Sequence, residues 1–336
     1  MAATIQLTSG SALAGSPVVA QVTTEALTVA YSFYRVILQV VASGGGVSIT
    51  APLVQNCEAG DTVVFDISSV VRSLYAKVRD AAVTVAGDHS YPVYGVSLTA
   101  YANYVSGGVE TNTAIATMTD AADLIRGRWY DRDRRGNDTA TVSALSRKPT
   151  SPAEHVYIGQ MLVVPKAGSW GFPDNDLEAP AVTGYVVTAA DAAAGTKTIN
   201  GRTFEVQPYP DDEHVFMQFI NSRGVHESIA VLKDPAEGDP IAYMTTDVER
   251  EAFDVVPATA FGSVLGHGSR VTANRTRLAL QTDCFGREWV DWLRNELLVA
   301  EQAWVLVDGR WEPCTIDAGT MTTDTNWRMH FAVVVG

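Results

Sequence analysis

The residue types that most often carry chemistry are present but scattered. Six histidines, His89, His155, His214, His226, His267 and His330, include no close pair, whereas zinc sites usually take ligands a few positions apart. His214 and His226 flank an expected hairpin and could converge in space with Asp212 or Glu227, but read more simply as a surface pair with no role. Asp131, Asp133 and Gly136 open like a calcium loop, yet Arg135 and Val142 stand where oxygen ligands belong. Asp174, Asp176 and Glu178, or Asp211, Asp212 and Glu213, could hold a cation through oxygen ligands, but read more simply as solvated loop carboxylates. Gly266-His267-Gly268-Ser269 is the nearest approach to a Gly-rich active-site turn, without the strand-to-helix setting of a nucleophile elbow, so a plain loop is expected. No dinucleotide, P-loop, GxSxG or HExxH motif occurs. No catalytic, cofactor-binding or metal-ligating residue is therefore assigned, no cofactor is expected, and the chain reads as a non-enzyme. A glycan hydrolase on a β scaffold stays as a rival, because the separation of its two carboxylates is set by the fold and not by a motif.

Aromatic residues in loop-like surroundings offer a second kind of site. Trp129, Tyr130, Trp170 and Phe172 lie among Gly, Arg and Pro. Such side chains can anchor a protein contact or stack on a sugar; the plainer alternative makes them plugs closing the ends of a β-sandwich.

Composition limits what these residues could serve. With 336 residues, 46% of them hydrophobic and 18% charged, the chain is long enough for about two domains and has the profile of a globular protein. Against 24 Lys and Arg stand 38 Asp and Glu, for a formal charge of −14. A surface of that sign repels phosphate backbones, so nucleic acid is not an expected partner. The three cysteines, Cys57, Cys284 and Cys314, are far apart and form no CxxC pair; they read as reduced, buried thiols. The opening MAATIQLTSGSALAGS lacks the pattern of a secretory signal, and no uncharged window is long enough to span a bilayer. Synthesis in the cytoplasm without membrane insertion is expected.

The elements that would position a site are mostly strands. Residues 1–118 contain TIQLT, SPVVAQVTT, SFYRVILQVV, SITAPLVQN, DTVVFDIS, YPVYGVSLTAYANYV and NTAIATM, separated by Gly-rich turns. β-Branched and aromatic residues in short alternating runs predict a β-sandwich. Inside it, Val71, Leu74, Tyr75 and Val78 have helical spacing, which predicts a short helix capped by Ser68. Residues 119–155 concentrate arginine among Gly, Asp, Ser and Pro, the composition of a linker or extended arm; a sharper reading docks this basic arm on an acidic neighbouring subunit. Residues 156–336 return to strands, with hairpin turns expected at Asn200-Gly201, Ser222-Arg223-Gly224 and Asp308-Gly309. Residues 165–176 read as a long protruding loop. An amphipathic helix is expected over 283–300, capped by Thr282 or Asp283, with Phe285, Trp289, Trp292, Leu293, Leu297 and Leu298 on one stripe. The fold class is thus mostly β, with β-sandwich modules, short helices and one amphipathic helix near the C-terminus.

Three stretches together carry a resemblance. They are Val63–Val71, the strand-turn-strand segment His214–Glu227, and Trp304–Ile316 following the amphipathic helix. In that order they resemble structural proteins of the tail or baseplate region of tailed phages and prophages of Bacteroidetes-type hosts. The resemblance implies a non-enzymatic virion component, assembled in several copies through contacts with itself and with other tail proteins. Its alternative within the same particle is a host-attachment protein that binds a surface receptor or glycan.

Overall fold

The computed structural model describes residues 3–10, 12–75, 80–127, 142–174, 176–208, 214–234, 244–255, 266–282, 286–323 and 328–335. At residues 9, 75, 143, 244–255, 266–274 and 318–322 only the backbone is described. The fold is mostly β, as the alternation of the sequence predicts.

The N-terminal module is a two-sheet sandwich. One sheet has the order β1 (Thr4–Ser9), β2 (Val19–Thr23), β5 (Thr62–Asp66); the other runs β4 (Val47–Asn56), β3 (Phe33–Gly44), β7 (Val93–Ser106), β8 (Val109–Ile125). Alternate residues of β3 and β7 point inward, so Val36, Leu38 and Val40 meet Tyr94, Val96 and Leu98 in one core. Each such side chain contributes about 1.5–3 kcal/mol on burial. Helix α1 (Ser68–Tyr75) adds Val70, Val71 and Leu74 to that core. Its start is held by Asp66, whose carboxylate accepts the Ser68 N–H at 3.0 Å, and not by a Ser68 side-chain cap. Val78 lies outside the described residues.

Within the expected linker over 119–155, the described residues include strands, and residues 128–141 lie outside the described part. β8 continues through Ile125, and β9 (Val142–Ala144) and β10 (Glu154–Tyr157) fall inside the same stretch. Asp120 and Asp123 interrupt the apolar pattern there: Asp120 is exposed and Asp123 is half-buried with its carboxylate accepting the Leu177 N–H at 3.4 Å, whereas Ala121, Ala122, Leu124 and Ile125 are buried. The sandwich also lends a strand to the next layer. β6 (Gly87–Ser90) pairs antiparallel with β13 (Ala181–Val186), which pairs in turn with β11 (Met161–Pro165). β9 pairs with β12 (Ala167–Trp170), and β10 runs parallel to β15 (Arg202–Gln207), the partner of β14 (Thr196–Ile199). Asn200 and Gly201 take left-handed φ values of 50° and 77° in the β14–β15 turn, the twist that two-residue hairpins require. Before β14, α2 (Ala189–Ala194) carries a reciprocal capping box between Thr188 and Asp191.

The C-terminal module is a closed barrel. Strands β16 (His214–Ile220), β17 (His226–Lys233), β19 (Gly266–Gln281), β20 (Ala303–Val307), β21 (Arg310–Thr323) and β22 (Met329–Val335) follow the order β17-β16-β20-β21-β22-β19, and Leu232 and Lys233 pair with Gln281 and Leu280 to close it. β18 (Met244–Val255) pairs only with β19 among the described residues. Helix α3 (Arg287–Glu296) supplies Trp289, Trp292 and Leu293 to the barrel core, with Leu297 just beyond its end. It is shorter than the expected 283–300. Gly286, at φ 92°, stands at the N-cap with no side-chain cap, in place of Thr282 or Asp283; Thr282 instead accepts the Met329 N–H at 2.9 Å. Leu298 is only half-buried, and Asp283, Cys284 and Phe285 lie outside the described residues.

Candidate functional site

Of the four aromatic residues singled out by the sequence, Trp170 and Phe172 fall among the described residues, and neither is exposed. Trp170 is 3% exposed and packs with Leu13, Val163 and Val182 between the sandwich and the barrel, its indole N–H donating to the Glu178 carbonyl at 2.7 Å. It presents no face to a sugar or a partner. Phe172 is half-buried against the sandwich core and lies over Gly10, where a Cβ would come within 2.6 Å of its ring. The loop they occupy does not protrude as expected: it contains β12, and the Asp174 carbonyl accepts the Asp123 N–H at 2.6 Å. Trp129, Tyr130 and the calcium-like run from Asp131 lie outside the described residues, as do Asp211–Glu213.

The histidine expectation is also corrected. His214 pairs with Leu232 at one end of the β16–β17 hairpin and His226 with Ile220 at the other, so the two do not converge. Nor is His226 on the surface. It is 3% exposed, stacks on Trp304 at 4.9 Å and sits with its Nδ1 2.5 Å from the Tyr91 hydroxyl. Burial raises the Tyr91 pKa and pulls that of His226 down to about 3, so the phenol donates to a neutral imidazole. His214 lies against Tyr157, with ring centroids 3.9 Å apart. Gly266–Ser269 begins β19 and is not a plain loop. Among the described residues, no three His, Cys, Asp or Glu side chains are grouped as metal ligands.

Two polar assemblies do form, and the sequence reading singled out neither. The first is a seam between the sandwich and the barrel. Gln218, fully buried on β16, accepts the Val83 N–H and donates to the Val83 carbonyl. Arg126, 6% exposed, pairs with Asp80 and lies 3.9 Å from Glu301. Gly224 has φ 80°, and a Cβ there would meet the Arg126 backbone at 2.4 Å, so only glycine lets the two modules approach this closely. Beside the seam is a groove of about 800 Å³ walled by Asp80, Arg126, Glu301, Trp304, Trp311 and Pro313. Cys314 also lines it, and burial pushes its thiol up to about 12. Cys314 and Cys57 are free and half-buried.

The second assembly is a buried charge cluster. The Lys148 ammonium lies 2.5 Å from Glu154, donates to the Ser228 carbonyl at 2.7 Å and sits over the rings of Trp289 and Trp292. Arg202 donates to the Lys148 and Pro149 carbonyls and stands 3.8 Å from Glu154. Glu296 accepts the Ser222 N–H at 2.7 Å and the Ser222 hydroxyl at 3.0 Å. Glu227, 1% exposed, has its carboxyl pushed up to about 7 by burial first and by the Glu296 charge second, with Lys148 opposing both. Burial likewise pulls the Lys148 pKa down, against the Glu154 charge. With Glu227 protonated, two cations face two carboxylates, and the cluster is balanced.

A cavity of about 220 Å³ borders this cluster, lined by Ser146, Lys148, Asn200, Arg202, Phe204 and Glu227. Chemically the arrangement can hold or release a proton near neutral pH. Glu154, Glu227 and Glu296 are each 1% exposed, which is not the open groove between two carboxylates that glycoside hydrolysis needs. Structurally it fastens the connector around Lys148 to the barrel and to β15. No local pattern in the sequence marks it, since Glu227 stands between the equally polar His226 and Ser228.

Compared with known protein families, curated proteins and solved structures, the chain matches none.

Proposed function

We propose that the chain is a non-enzymatic structural subunit of a phage particle, working in multiple copies in the tail or baseplate region of the virion through contacts with itself and with other tail proteins. The observation that supports this reading best is the shape of the C-terminal module: a closed barrel locked to a sandwich by a buried polar seam, from which the β18–β19 ribbon extends with both outer edges unpaired among the described residues. A rigid body bearing an unpaired ribbon is suited to joining other subunits through backbone hydrogen bonds. The buried polar groups found at the seam and in the charge cluster serve cohesion in this reading. The test is the mass of the purified protein by light scattering on a sizing column, followed by negative-stain imaging. A ring or other defined oligomer is expected. A monomer at every concentration, with no binding to tail proteins from infected cells, would overturn it.

A host-attachment role is the second reading, and the groove beside Trp311 is the feature that favours it. Its polar rim of Asp80, Arg126 and Glu301 beside an aromatic wall suits a saccharide. Glycan-array binding lost on Trp311→Ala, with assembly intact, would move the function there.

A further inference from the structure

We propose that copies of this chain join head to tail through the hairpin, β18 of one copy pairing with β19 of the next in a continuous antiparallel sheet. This rests on the assembly reading above and specifies its contact.

The argument begins with backbone geometry. β18 and β19 pair without interruption from Met244 and Leu278 to Val255 and Gly266, but β19 meets the barrel strand β22 only from Thr276 onward. From Asp247 to Val255 the ribbon therefore extends beyond the barrel, about 30 Å at the usual rise per residue. Over that length, β18 on one side and β19 on the other carry no further strand among the described residues. A two-stranded ribbon of this kind is marginal in water by itself, and its unpaired edges are templates for another strand.

Charge then selects the partner. Asp247, Glu249 and Glu251 occupy alternate positions of β18 and so share one face of the ribbon. Opposite Asp247 and Glu251 on β19 stand Arg275 and Arg270. The register shift next to Glu249 leaves Thr272 unpaired and keeps Arg270 on the same face as Arg275. That face thus has an acidic row along β18 and a basic row along β19. Pairing β18 with β18 across a two-fold axis would set carboxylates beside carboxylates, and β19 with β19 would set arginines beside arginines; like charges on adjacent strands destabilise a sheet. On that face, β18 against β19 of the next copy alternates the signs. Such a contact is not two-fold symmetric, so it closes into a ring or continues as a filament. It also offsets part of the self-repulsion expected between chains of net charge −14.

The experiment uses two full-length variants. One carries Asp247→Lys, Glu249→Lys and Glu251→Lys; the other carries Arg270→Glu and Arg275→Glu. Light scattering should show the wild type as an oligomer larger than a dimer, each variant alone as a monomer with an intact barrel melting transition, and the equimolar mixture restored to wild-type size. The restored mixture also guards against simple loss of folding in either variant. Raising the salt concentration should lower the wild-type mass. Variants that keep the wild-type mass, a mixture that fails to reassemble, or a two-fold dimer would each overturn the hairpin contact while leaving the assembly reading standing. A wild type that stays monomeric at every concentration would overturn the hairpin contact, and one that also binds no tail protein from infected cells would overturn the assembly reading too.

Discussion

The side-chain amide of Gln218 is bonded at both ends to the backbone of Val83: Oε1 accepts the Val83 N–H at 2.8 Å, and Nε2 donates to its carbonyl at 2.9 Å. Gln218 sits on the barrel strand β16 and Val83 on the segment leading from α1 to β6. One side chain thus does for two modules what a neighbouring strand does within a sheet, and it does so fully buried.

Gln218→Ala should therefore destabilise the whole protein by on the order of 3 kcal/mol, because two buried backbone groups at Val83 lose their partners. Urea denaturation at neutral pH measures this. A change within experimental error would mean that water replaces the amide and that the seam is less tightly sealed than described.

His226 should make the protein acid-sensitive. Its folded pKa of about 3 lies below the usual 6.5, so the stability it contributes is present above pH 6.5 and is lost as pH falls toward 3. By pH 4 the loss is about 3 kcal/mol. His226→Asn, whose Oδ1 can accept from Tyr91 in place of Nδ1, should flatten that part of the profile. A variant with the same slope as the wild type would place the acid sensitivity elsewhere.

Glu227 has the opposite dependence. Its folded pKa is raised from 4.5 to about 7, so its contribution is complete below 4.5 and is lost as pH rises through 7. Glu227→Gln should match the wild type at about pH 5 and exceed it at about pH 9 by up to about 3 kcal/mol. Thermal melts across that range decide the matter, and a variant weaker at high pH would show that the ionised carboxylate is needed to hold Lys148.

Trp170→Ala should cost about 3–5 kcal/mol, the usual price of removing a large buried aromatic, whereas Phe172→Ala, at a half-buried site, should cost less. Thermal denaturation separates the two. Unchanged stability for Trp170→Ala together with lost binding to a partner or glycan would reinstate Trp170 as a contact residue.

What the sequence determined about this protein is its local structure. The alternation of Val36, Leu38 and Val40 defines a half-buried strand whatever lies across from it, and Asn200-Gly201 and Asp308-Gly309 define tight hairpins because their left-handed φ values are cheap for Asn, Asp and Gly. The stripe of Trp289, Trp292 and Leu293 marks a helix for the same reason, since its period belongs to the chain itself. Tertiary structure decided the rest. Closure of β17 onto β19, insertion of β6 beside β13, and the pairing of Gln218 with Val83 join residues far apart in the chain, and no local pattern encodes which strand edge meets which. The same holds for burial of charge. Lys148, Glu154, Arg202 and Glu227 look like ordinary surface residues one at a time, and only their convergence supplies the counter-charges that let them leave water.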